Sequence, residues 1–83
     1  MEYYSVARGK LPPELAMLRR DDRAEVIRSA GLGTLDTEIA MRYYIDRLPH
    51  ADIGACVGRD RSVVGRRIKQ MEPQIIAHIN IPQ

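Results

Sequence analysis

Apolar residues recur along this chain at helical spacing, and nowhere do they alternate with polar ones over the length of a strand. Leu11-Pro12-Pro13-Glu14 reads as a helix start, because proline is tolerated in a first turn and a glutamate there faces the positive end of the dipole. Leu15 and Leu18 form an apolar edge, which the polar run Arg19-Arg20-Asp21-Asp22-Arg23 interrupts. Asp22 with Glu25 resembles a capping box, and Val26, Ile27 and Ala30 supply a buried side, so residues 13–30 form either one helix or two. Gly31 suits a left-handed stop with Leu32 folded back on the last turn. After Gly33, Thr34 is placed to cap a helix from Leu35 to Leu48. Its apolar residues (Leu35, Ile39, Ala40, Met41, Tyr43, Tyr44, Ile45, Leu48) cover too wide an arc for one stripe, which predicts a central, mostly buried element.

Pro49 sets the start of the next helix, with Ile53 and Val57 on one face and Gly58 closing it. Asp60 is placed to cap a further helix, Arg61 to Met71, whose inner face is Val64 and Ile68; Pro73 is expected to stop it. The tail carries Ile75, Ile76, Ile79 and Ile81, which either pack back on the core or pair with a second subunit. The expected fold is therefore all-α: a small bundle of four to five helices with a C-terminal helix-turn-helix. It reads as a single domain over 1–83, divided into an arm (1–10), an N-terminal helix or helices (11–33), the helix-turn-helix core (34–71) and an apolar tail (72–83).

A chain of 83 residues is enough for one domain with a thin core, which a dimer would reinforce. Hydrophobic residues at 45% and charged ones at 29% are ordinary for a globular protein; with no Trp or Phe, the core falls to aliphatic residues and tyrosine. Tyr43 and Tyr44 are expected in that core, while Tyr3 and Tyr4 either pack or belong to a contacting arm. The single cysteine, Cys56, makes neither an internal disulfide nor a metal cluster, and no apolar run suits a signal peptide or a bilayer span. A reduced, cytoplasmic setting is expected, with no metal and no cofactor. His50 and His78 are the only histidines and there is no Gly-rich phosphate loop, so no enzyme is expected.

The formal net charge is only +2, but its distribution is uneven. Residues 59–69 hold Arg59, Arg61, Arg66, Arg67 and Lys69 against one acid, Asp60, and leave the rest of the chain net acidic. Such a cluster is the footprint of a phosphate-facing surface, or of a solvated helix face. The glycines add a geometric reason. A helix-turn-helix needs a small residue where two steeply crossed helices meet and a quick reversal between them; Gly54 and Gly58 supply these. Gly65 is costly inside a helix, which points either to close approach of DNA or to a loosened exposed turn.

The run from Leu35 to Met71, LDTEIAMRYYIDRLPHADIGACVGRDRSVVGRRIKQM, resembles region 4 of bacterial sigma-70-type factors and related small regulators. The resemblance lies in Tyr44-Ile45, Leu48, Ile53-Gly54, Gly58 and the stretch Arg61 to Ile68. Gly54 stands where that family usually has alanine, and Arg59 where it usually has an aliphatic residue; the rest of a sigma factor is absent. In a helix-turn-helix, Arg61 and Arg66 are the expected base contacts, since an arginine fork matches guanine O6 and N7. Ser62 is assigned to a base edge or a phosphate, Gly65 to close approach, and Arg59, Arg67 and Lys69 to phosphates. His50, in the first turn of the preceding helix, either meets a phosphate or is an ordinary surface residue.

The resulting expectation is a sequence-specific double-stranded DNA-binding protein, a small transcription regulator acting as a homodimer on half-sites about 34–36 Å apart. Two other uses stay open: DNA recognition in a mobile-element process such as recombination or packaging, and an interaction module that contacts RNA polymerase or a sigma factor.

Overall fold

The computed structural model describes residues 11–79. Five helices follow one another: α1 (Pro13–Ala16), α2 (Arg20–Ser29), α3 (Thr34–Ala40, continued by a π-helical segment Met41–Ile45), α4 (His50–Val57) and α5 (Arg61–Ile79). There is no strand among the described residues, so the all-α expectation holds. Residues 13–30 form two helices, separated at Met17 to Arg19. The arm with Tyr3 and Tyr4, and Ile81 of the tail, lie outside the described residues.

The interior is aliphatic, and among the described residues no charged side chain is buried. Leu15 of α1, Ile27 of α2, Ile39 and Ala40 of α3, Ile53 of α4 and Val64 and Ile75 of α5 are all fully buried. Tyr44, the largest buried side chain, comes from the π-helical segment. The central helix thus meets the expectation of burial but does not run evenly to Leu48. Its final turn widens into the π-helical segment, and Ala40 and Tyr44, four residues apart, are both buried in the core. The Asp46 N–H then donates to Met41 O at 3.1 Å and the Leu48 N–H to Arg42 O at 3.0 Å, around Arg47 at φ 61°.

Two caps differ from their sequence reading. Thr34 is the first residue of α3, not its cap; Gly33 holds the cap position at φ 92° with no side-chain bond. Likewise α2 begins two residues before Asp22, with extended Arg19 as its uncapped start, so Asp22 only adds negative charge to the first turn. Local capping signals mark the neighbourhood of a helix end to within a residue or two.

Arg23, read in the sequence as part of a polar interruption, is a tie between elements. Its Nε donates to Leu15 O at 3.2 Å, Nη2 to Leu18 O at 3.2 Å and Nη1 to Tyr44 O at 2.9 Å. The Leu15 carbonyl also accepts the Leu18 N–H at 3.1 Å, so one planar guanidinium adds a donor there and ties the end of α1 and the link after it to the π-helical segment.

The largest correction concerns Pro73. The helix does not stop at Met71 but runs through the proline to Ile79. An interior proline costs about 3 kcal/mol, since it removes one backbone bond and crowds the carbonyl four residues back. Pro73 and Lys69, whose carbonyl the proline deprives of a donor, both lie on the exposed side of α5. Beyond the proline, Ile75 is fully buried, which returns about 1.5–3 kcal/mol, and Ile79 packs partly against the core. His78 Nε2 also lies 2.9 Å from Ser29 Oγ at the end of α2. Burial and this contact offset the proline, and the tail through Ile79 continues α5 and packs back on the core through Ile75 and Ile79. No described helix is long and apolar enough to cross a membrane.

Replacing Arg23 by methionine removes its three hydrogen bonds, to the Leu15, Leu18 and Tyr44 carbonyls, and is expected to cost roughly 2–4 kcal/mol, read from urea unfolding; a loss below about 0.5 kcal/mol would deny Arg23 this role. Tyr44 gives a pH signature. Burial, and then its hydrogen bond to Glu72, raise the phenol's pKa above its ordinary value. Stability from a raised pKa is complete below the unfolded value, about 10, and drains away as pH climbs past it. Thermal melts should therefore fall above about pH 10, and Tyr44→Phe should flatten that decline.

Candidate nucleic-acid interface

The corner between α4 and α5 is set by backbone contact. Gly58 takes the left-handed conformation, φ 71° and ψ 35°, and its N–H bonds back to Gly54 O. The Arg59 N–H donates to the same Gly54 oxygen at 2.9 Å. In return the Arg59 carbonyl lies against the Gly54 Cα, where a β-carbon would collide with its oxygen and touch Arg61 N at 3.5 Å. Only glycine fits. The Asp60 carbonyl then accepts the Val63 and Val64 N–H groups at 3.0 and 3.1 Å, and its carboxylate accepts the Ser62 N–H at 3.2 Å and the Ser62 hydroxyl at 2.5 Å. These Ser62 bonds hold the Asp60 carboxyl below its ordinary pKa. Asp60 thus caps α5, as its spacing suggested. Pro49 occupies the position before α4, with extended ψ 158°, and its carbonyl accepts the Ile53 N–H at 3.0 Å.

With Val64 and Ile68 turned inward, α5 presents Arg61, Ser62, Gly65, Arg66 and Lys69 along one flank. That flank is one wall of an open groove of about 1240 Å³, which continues past Glu72 to Pro73, Ile76 and Ala77. Tyr43 and His50 line it as well, their ring centres 5.4 Å apart, with the His50 ring packed against Gly65. Tyr43 meets Tyr44 edge-on, with centroids 4.9 Å apart. The Tyr44 hydroxyl donates to Oε1 of Glu72, which lines the groove, at 2.5 Å. Burial, and secondarily the Glu72 charge, raise the Tyr43 pKa.

The eight candidate residues divide. Arg61, Ser62, Gly65, Arg66, Lys69 and His50 line the groove together. Arg67 does not; it turns to the other flank and pairs with Asp36 of α3 at 2.8 Å, with the Asp36 side chain only 23% exposed. Arg59 lies exposed in the turn, its Nη1 3.4 Å from Gly58 O. Gly65 has a packing reason of its own, since a β-carbon there would come within 3.2 Å of His50 Nδ1. The sequence reading missed Tyr43 and Glu72 as groove residues. Tyr43 was assigned to the core, and Glu72 falls in the helical turn that Pro73 was expected to end. Cys56 is exposed and free. Compared with family models, curated proteins and solved structures, the chain matches none.

Two glycine substitutions separate backbone contact from side-chain contact. Gly54→Ala should lose roughly 2–4 kcal/mol even though alanine is the better helix former. Gly65→Ala asks only a half-exposed histidine ring to move, and should change stability by less than about 1 kcal/mol. Chemical denaturation monitored by circular dichroism measures both; equal effects would contradict the corner geometry.

Proposed function

We propose that the α4–α5 corner is a DNA-binding helix-turn-helix and that the chain is a small sequence-specific regulator of double-stranded DNA. The observation that carries this reading is the separation of charge on α5. Val64, Ile68, Met71 and Ile75 are buried on one side, while Arg61, Arg66 and Lys69 line the groove on another and, among the described residues, make no ion pair of the kind that holds Arg67. A ridge of cations on a rigid helix, preceded by a tight backbone corner, suits insertion into a major groove about 12 Å wide. In this reading Arg61 and Arg66 reach base edges, Lys69 and Arg59 meet phosphates, and His50 stands at the entry of α4 where a phosphate passes. The Ser62 hydroxyl already donates to Asp60, so Ser62 offers DNA an acceptor in place of a donor. Arg67 is assigned to the fold, because contact with phosphate would break its pair with Asp36. The resemblance to sigma-70 region 4 supports the reading through the motif residues alone.

Titration of a random duplex at increasing salt tests it. Affinity should fall steeply and linearly on logarithmic axes, and removal of Lys69 should lower the slope by about one. Arg66→Ala should cost about 1–3 kcal/mol on a selected site and less on random sequence, whereas Arg67→Ala should change affinity little. No measurable binding at low salt would reject the proposal.

A further inference from the structure

The groove is longer than its basic part. From Arg61 to Ala77 along α5 it extends about 24 Å, at 1.5 Å per residue. Its first half carries Arg61, Arg66 and Lys69. Its second half changes character: Pro73 and Ala77 are exposed, Ile76 is half-buried, and all three line the same groove. A nucleic acid presents phosphate and polar base edges along its whole length, so it complements the first half and leaves the second unmatched. Burying that apolar half takes a ligand with aliphatic side chains, and neutralising the other half takes acids on the same ligand.

We propose that this groove docks an acidic amphipathic helix of a partner protein, its carboxylates beside Arg61, Arg66 and Lys69 and its aliphatic residues against Pro73, Ile76 and Ala77. A helix of about sixteen residues has the groove's length, and apolar positions at i, i+3, i+4 and i+7 would form the strip that Ile76 and Ala77 require. Glu72, held by Tyr44, lies between the two halves and repels a carboxylate placed there, which sets the register: acids at one end, aliphatics at the other. The partner uses Arg66 and Lys69, the same cations assigned to DNA, so the two ligands exclude one another. That competition rests on the DNA reading; the docking does not.

The probes are two fluorescein-labelled peptides of about sixteen residues. One has its acidic half first and aliphatic half last, the other the reverse, and each has a scrambled control. Fluorescence anisotropy with the full chain should show one of them binding in the micromolar range, with its scrambled control at least about tenfold weaker. Ala77→Glu places a charge at an exposed apolar position. It should weaken the peptide about tenfold, leave random-duplex affinity within about twofold, and leave the thermal melt unchanged. Arg66→Ala should weaken both ligands, and unlabelled peptide should displace duplex.

Absence of binding by both peptides up to about 1 mM would overturn the docking, as would equal binding by the scrambled controls or indifference to Ala77→Glu. Peptide binding that leaves bound duplex undisturbed would overturn the shared surface. Peptide binding that is sensitive to Ala77→Glu, in a protein with no affinity for duplex, would uphold the docking and remove the DNA reading.

Discussion

The molecule depends on how closely two stretches of backbone approach between α4 and α5. The Arg59 carbonyl rests on the Gly54 Cα, and the Gly54 carbonyl accepts N–H groups from Gly58 and Arg59. This contact has almost no freedom, because a single added methyl group is excluded and the left-handed Gly58 fixes the exit direction. The direction of α5 follows from it, and so does which residues of α5 are buried. The groove then exists because α5 leaves the corner alongside Tyr43 and His50.

A second set of ties keeps that direction over the full length of α5. Tyr44 reaches from the centre of the bundle to Glu72, and His78 reaches the end of α2 through Ser29. Arg23 holds the ends of α1 and the π-helical segment together. These polar contacts lie around a mostly aliphatic interior; the one at Glu72 satisfies the hydroxyl of the buried Tyr44 ring, and the others join separate elements. In a chain this small the hydrophobic core is thin, so such ties are a sizeable share of what selects one arrangement.

The same architecture sorts the basic residues. Arg66 and Arg67 are neighbours in sequence, yet a helical step of about 100° sends one to the groove and the other to Asp36. Positive charge that looks like one cluster along the chain is two populations in space: one used inside the fold, the other facing a groove. The apolar extension of that groove beyond Pro73 gives the surface a mixed chemistry, and its two proposed ligands share the basic half only.

Much of the candidate site was legible in the sequence. Helical periodicity marked Val64 and Ile68 as inward, which left Arg61, Ser62, Arg66 and Lys69 outward; Gly54, Gly58 and Asp60 announced a corner and a cap, because those residue types have few other local uses. What failed were judgements that weigh local cost against distant gain. Pro73 carries a local penalty that only the burial of Ile75 and the contact at Ser29 overcome. The capping signals at Asp22 and Thr34 marked the neighbourhood of a helix start and missed its residue, Arg19 and Gly33 holding the cap positions. Arg23, Tyr43 and Glu72 gained their roles from neighbours far along the chain. Periodicity and special backbone conformations are properties of a few consecutive residues, so the sequence alone determined the all-α class, the corner and the outward basic edge. Partners brought together from separate helices depend on the whole packing, and only the tertiary structure decided where α5 ends, which arginine is held by Asp36, and what lines the groove.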